Sequence, residues 1–207
     1  MTEAFEAAPI DAVLVLAGGE GRRLGGPKAW LEWQETPLLL HLLGRLDGLV
    51  DRAPLVAADR EMELPPGRYD RVDDAVPGAG PLGGLAAGLE VLERTIPEAR
   101  VAVAACDGPF ADPRLFLFLA GVAPEADVVL PEHAGRLHPL AAVWRARAAG
   151  ACRRALEHGE RRVLAPLDDL DHVVVPSGDF PAGLDPERIL FNLNDRSDLL
   201  RGRSLRA

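Results

Sequence analysis

Ala12-Val13-Leu14-Val15-Leu16-Ala17-Gly18-Gly19-Glu20-Gly21-Arg22-Arg23-Leu24-Gly25-Gly26-Pro27-Lys28 decides how this 207-residue chain is read. Five apolar residues bounded by a glycine-rich loop make a strand buried on both faces, the kind found in a parallel sheet. The loop holds five glycines, two adjacent arginines and Lys28. Glycines let backbone N–H groups approach phosphate oxygens, and the cations can neutralise a triphosphate. Lys28 lacks the preceding Gly and the following Ser or Thr of a Walker A loop, and no dinucleotide fingerprint is present. A plain β-to-α connection that happens to be rich in glycine is the alternative.

Moving outward, short apolar runs alternate with helical patterns, the signature of βαβ units, so the fold expected is Rossmann-like, doubly wound α/β with a mostly parallel sheet and an antiparallel edge strand. Thr36 is expected to cap a first helix with Pro37 at its first position, running through Leu38, Leu42, Leu43 and Leu46. Strands are expected near 53–57, 71–72, 101–105, 126–130, 139–144, 172–175 and 189–193. A second Gly/Pro loop spans 77–84, with a helix over 85–92 behind it. Asp112 caps a helix through Leu119, and a basic helix covers 145–157. No repeat or linker divides the chain, which is expected to be one domain over 1–207.

The charge balance of -9 argues against a general grip on nucleic acid, which needs a basic face. Met1 to Pro9 carries Glu3 and Glu6 and does not resemble a signal peptide, and no apolar run approaches the length of a membrane span. Cys106 and Cys152 have no zinc or disulfide spacing and are expected to be free thiols. A soluble, cytoplasmic protein with no membrane partner is expected. Of 23 basic residues 22 are Arg, and Lys28 alone is Lys. A lysine is a compact point charge that suits a single phosphate oxygen, whereas arginine presents a wide planar fork, so Lys28 draws attention to its loop.

In an open parallel sheet, ligands bind beyond the carboxyl ends of the strands. Asp107 follows five apolar residues at such an end, where a carboxylate can hold Mg2+ together with substrate phosphates; a turn or capping role is the alternative. Asp74 lies at a comparable strand exit. A triphosphate cradle, a metal carboxylate and no obvious nucleophile suit phosphoryl or nucleotidyl transfer, in which positioning and charge stabilisation do most of the catalysis.

The motifs resemble those of the molybdenum cofactor guanylyltransferases, which have a nucleotide-diphospho-sugar transferase-like fold. The resemblance runs through Leu16 to Gly19, Arg23-Leu24-Gly25 and Lys28, Asp74, Pro77 to Gly84, and Cys106-Asp107-Gly108-Pro109. It continues in His138-Pro139, Gly159 to Val163 and Asn192-Leu193-Asn194. The first two loops are shared with related nucleotidyltransferases; Gly18-Gly19 favours guanine, and the last two segments point to this family more closely. Departures are Pro27 where an acidic residue often precedes the lysine, Leu24 for Met, and Ala57-Ala58 where some members carry Asn.

The resemblance implies GTP and molybdopterin as substrates, Mg2+ as cofactor, and a transient contact with recipient molybdoenzymes. It implies an N-terminal half for the nucleotide and a C-terminal half for the pterin. Leu16, Ala17, Gly18 and Gly19 would contact guanine and sugar, with Asp74 and Gly80 also on the nucleotide. Arg23 and Lys28 would hold the phosphates and Asp107 the metal, these three being the catalytic set. His138, Arg161, Arg162, Asn192 and Asn194 would line the pterin side. A relative using CTP or another phosphorylated acceptor, or a non-catalytic molybdopterin carrier, is the alternative.

Overall fold

A computed structural model of the chain describes residues 9–19, 21, 24–74, 76 and 78–205. The expected strand is β1 (Ala12–Leu16). Behind the loop comes a short hairpin of β2 (Glu32–Trp33) and β3 (Thr36–Pro37), then α1 (Leu38–Arg45). Thr36 is therefore not a helix cap: the hairpin turns on Gln34 and Glu35, both at positive φ, and Pro37 itself precedes the helix. Next follow β4 (Leu55–Ala58), β5 (Asp70–Asp73), α2 (Pro81–Thr95), β6 (Arg100–Ala105) and α3 (Pro113–Val122). Asp112 caps α3 through the Arg114 N–H, as expected. The second half adds β7 (Val128–His133), β8 (Arg136–Leu137), β9 (Ala141–Arg145), α4 (Ala149–Glu157), β10 (His172–Pro176), α5 (Pro186–Ile189) and α6 (Arg196–Ser204).

The main sheet has the order β10-β7-β9-β6-β1-β4-β5, with β8 paired to β7. Pairings β1 with β4, β1 with β6, β4 with β5 and β7 with β10 are parallel. The antiparallel strand expected at an edge lies inside the sheet instead: β9 runs against both β6 and β7, and both edge strands are parallel to their neighbours. After β7 the chain returns by the tight turn at Ala134 and Gly135, without a crossover helix, so the returning strands must run antiparallel. They fill the slot that α3 left open between β6 and β7.

Helices cover both faces. Val13 and Val15 of β1 face Leu38, Leu42, Leu115 and Phe116, whereas Ala12, Leu14 and Leu16 face Leu82, Leu85, Leu89 and Cys152. Helix α2 lies so close to β1 that a Cβ on Gly88 would stand 2.4 Å from a Leu14 methyl. Residues 189–193, read from sequence as a last strand, are not one. Asp185 and Pro186 start α5 there, and the chain afterwards crosses the strand ends, held by the Leu193 N–H on the Asp107 carbonyl at 2.9 Å. Among the described residues no helix is long and apolar enough to cross a membrane.

Candidate active site

The strand order reverses at β1: the chain steps outward to β4 and β5, then returns to place β6 on the other side. The carboxyl ends of β1 and β6 therefore open a crevice at the switch point. The Cys106 N–H donates to the Leu16 carbonyl at 2.9 Å and the Ala17 N–H to the Ala57 carbonyl at 2.8 Å, which ties the exit of β1 to those of β6 and β4. Asp107 and Gly18 are the first residues able to turn into the crevice.

The glycine-rich loop folds back on itself. Its turn centres on the Gly21 carbonyl, which accepts from the N–H groups of Leu24, Gly25 and Gly26. Gly21 has φ 55°, and a Cβ there would lie 1.9 Å from the Gly26 oxygen, so this position admits no side chain. The loop returns Lys28 to the crevice, where its Nζ donates to Asp107 Oδ2 at 2.6 Å and to Asn194 Oδ1 at 3.1 Å. Their side chains are only 15% and 19% exposed for Lys28 and Asp107, so the pair is sheltered from screening. Arg23, expected beside Lys28, lies outside the described residues, as does Pro77 of the second loop.

A cavity of about 230 Å³ opens beside this pair. Leu16, Gly18, Asp74, Gly80, Asp107, His138 and Asn192 line it, so seven of the expected residues converge. Ala17 is buried beneath, and the Gly19 carbonyl meets the Lys28 N–H. The second glycine loop enters α2 directly, earlier than expected: Gly80, at φ 66°, precedes Pro81 at the helix start, and the first turn faces the cavity. Arg161 and Arg162 stand apart. Both are exposed, both bond to Glu160, and neither lines the cavity, although neighbouring Val163 does.

A second cavity of about 360 Å³ adjoins the first and shares Arg136, His138, Leu190 and Asn192 with it. Asn194 lines this second space and does not cap α6. Asp195 is that cap, in a reciprocal box with Asp198, and the Asn194 side chain is left for Lys28. Sequence reading passed over Arg136 altogether. Its one local signal is position, two residues before His138-Pro139 in a turn marked by Gly135.

Burial, then the charges of Arg136 and His133, lower the His138 pKa below the usual imidazole value against the pull of Glu132, which favours the neutral ring. Cys106 and Cys152 are free, and burial pushes both thiols up to about 12, which removes them as nucleophiles. Asp74 is the unusual carboxylate. Burial first, then the charges of Asp59 and Asp73, raise its pKa from 3.8 to about 6 against the pull of Arg71, and its Oδ1 is buried without a partner.

A carboxyl with a raised folded-state pKa binds its proton more tightly folded than unfolded. Its stabilising contribution is complete below about pH 4 and lost as pH rises past about 6. Asp74→Asn is therefore expected to stabilise the ligand-free protein above pH 6 and to lose that advantage near pH 4. Urea unfolding at pH 4 and pH 7.5 measures this; an equal difference at both would remove the buried charge as its cause.

The chain matches the MobA-like NTP transferase domain over residues 13–173. It is 34% identical over 210 residues to a molybdenum cofactor guanylyltransferase of Pseudomonas aeruginosa, covering 97% of this chain and 98% of that one. It is 32% identical to a probable molybdenum cofactor guanylyltransferase of Natronomonas pharaonis, covering 78% and 82%. Among solved structures, the molybdopterin-guanine dinucleotide biosynthesis protein A of Archaeoglobus fulgidus superposes with a TM-score of 0.77 at 26% identity, over 94% of this chain and 97% of that one. The 2-C-methyl-D-erythritol 4-phosphate cytidylyltransferase of Thermus thermophilus shares the fold, with a TM-score of 0.67 at 20% identity, over 95% and 98%.

Proposed function

Since the chain belongs to the MobA-like NTP transferase family, we propose that it is a molybdenum cofactor guanylyltransferase, moving GMP from GTP to the phosphate of molybdopterin with release of pyrophosphate. The observation that carries the reading is the meeting of Lys28 and Asp107 at the switch point, beside a cavity that adjoins a second one. One space suits the nucleotide, the other the acceptor. Cytoplasmic GTP and molybdopterin are the substrates in this reading.

An oxygen of the acceptor phosphate forms the new bond to the α-phosphorus as the bond from α-phosphorus to the bridging oxygen breaks. The electron pair leaves with pyrophosphate. Lys28 holds phosphate oxygens and offsets the growing charge, joined by Arg23 from the same loop. Leu16 to Gly19 and Gly80 line the base and sugar, with Asp74 as a hydrogen-bond acceptor toward the nucleotide.

The donor set fits a Mg2+ ion that shares its shell with substrate. Asp107 is a carboxylate at a strand exit already bound to one cation, and among the described residues no group of three His, Cys, Asp or Glu forms a cage of its own. When bound at Asp107, Mg2+ would supply charge neutralisation at the phosphates.

Pyrophosphate release from each of the four ribonucleoside triphosphates, with Mg2+ and with or without molybdopterin, tests the proposal. Release from GTP alone, and only with molybdopterin, is expected. Release with CTP instead would overturn the guanylyl assignment, and silence with all four would overturn the transferase reading.

A further inference from the structure

The wall between the two cavities contains a cation to which the reading above gives no work. Arg136 is exposed on β8, lines both spaces, and has no hydrogen-bonding or ion-pairing partner among the described residues. Acids on the hairpin and across the second cavity already have partners. The Glu132 carboxylate, the acid on the same hairpin, is engaged by the Gly135 N–H at 2.6 Å within the turn. Across the second cavity Arg201 is paired with Glu187 and lies over the Phe191 ring, so that carboxylate is occupied as well.

The hairpin is tied to its surroundings. Arg136 pairs with His133 in register, and His133 Nδ1 meets Ser177 Oγ at 2.9 Å. Two residues on, the His138 N–H donates to the Pro131 carbonyl at 2.9 Å, fixing the half-buried imidazole in the same partition. The partition thus presents one uncompensated guanidinium and one imidazole, on a protein whose formal charge is -9. That combination selects a small dianion: a guanidinium offers a planar fork to two phosphate oxygens, and the imidazole can add one hydrogen bond.

We infer that Arg136, with His138 beside it, is the binding site for the acceptor's phosphomonoester and holds the attacking oxygen at the junction of the two cavities. This rests on the transferase reading for the identity of the acceptor, although not for the chemistry of the anion site. A phosphate at that junction lies between the space for the nucleotide and the space for the body of the acceptor. The nucleophile is therefore oriented by a residue separate from the Lys28 loop that holds the leaving group.

Two measurements test it. Arg136→Gln is expected to raise KM for molybdopterin at least about tenfold, with Arg136→Lys recovering part of the loss and GTP affinity by calorimetry staying within about twofold. Equal KM values for molybdopterin in wild type and Arg136→Gln would overturn the inference. The second uses inorganic phosphate as the probe, added to the full chain saturated with Mg2+ and a non-hydrolysable GTP analogue, with the histidine side chains followed by NMR.

Phosphate-dependent shifts of His138 in wild type that vanish in Arg136→Gln are expected. Shifts that are absent in wild type, or that persist unchanged in the variant, would overturn the site. Wild type that gives the Arg136-dependent phosphate response yet transfers nothing to molybdopterin would overturn the guanylyl reading and support the anion site.

Discussion

Asp107→Asn is expected to lower the turnover of GMP transfer by about a thousandfold, equivalent to about 4 kcal/mol of lost transition-state stabilisation. The fold does not depend on the charge. The backbone of Asp107 makes the structural contact, accepting from the Leu193 N–H, and the turn after β6 is closed by the Gly108 N–H on the Ala105 carbonyl. Asn has the same outline and keeps one oxygen for Lys28, so the melting temperature should move by no more than about 3 °C.

What Asn cannot do is carry a negative charge at the crevice. The carboxylate balances Lys28 in the ligand-free protein, and in the proposed reaction it would hold Mg2+ beside the phosphates. The loss should fall on kcat more than on KM for GTP, since the proposed reading puts the base and sugar contacts on other residues. Steady-state kinetics at saturating Mg2+ read the split directly. Turnover within tenfold of wild type would remove Asp107 from the mechanism.

How much of this was legible in the sequence depends on distance along the chain. β1 and β6 could be read because a strand covered on both faces is a continuous apolar run, as 12–16 and 101–105 are. The same continuity hides which side chain faces which helix, since Val13 and Leu14 are equally apolar and sit in opposite cores. The Lys28 to Asp107 contact spans 79 positions, and the rule about strand ends in parallel sheets, with the family resemblance, put those residues in one site beforehand. Asn194, 166 positions from Lys28, was reached through family resemblance, and its contact with Lys28 was not foreseen.

The misread elements have local causes. Gln34-Glu35 gives no warning of a hairpin turn, because neither residue type favours the left-handed region, so Thr36-Pro37 passed for a helix start. Residues 189–193 passed for a strand because four of the five are apolar, and all four are buried where the segment crosses the strand ends. They make a single tether to Asp107 and no ladder. β9 was read as a strand near 139–144, but the antiparallel member of the sheet was expected at an edge, since the direction of a strand is set by its connection and not by its composition. Arg136 escaped notice because a lone arginine beside a turn is ordinary in sequence. What distinguishes it is a guanidinium between two cavities with no partner among the described residues.

Lys28 supports the second large prediction, and it can be argued against the other basic residues of the chain. Every one of them is arginine, so whatever favours arginine elsewhere did not prevail at position 28. The geometry supplies a reason. Gly19 and the Lys28 backbone hold the side chain along the loop, and the Nζ reaches two oxygens on different segments, Asp107 Oδ2 and Asn194 Oδ1. A tetrahedral ammonium can direct its three protons to separate acceptors, whereas a planar guanidinium needs more width and fixed directions.

Lys28→Met is accordingly expected to reduce kcat/KM for GTP by about a thousandfold, and Lys28→Arg by about a hundredfold despite keeping the charge. The two should differ in stability as well. Met leaves the sheltered Asp107 carboxylate without its cation, which lowers the melting temperature in EDTA, and added Mg2+ should restore part of it by occupying the same carboxylate. Thermal melts with and without Mg2+, run beside pyrophosphate-release kinetics, read both consequences. Full activity in Lys28→Arg would show that charge alone suffices there. A Lys28→Met protein with wild-type kinetics would place the triphosphate away from this loop, and the switch-point reading of the site would fall with it.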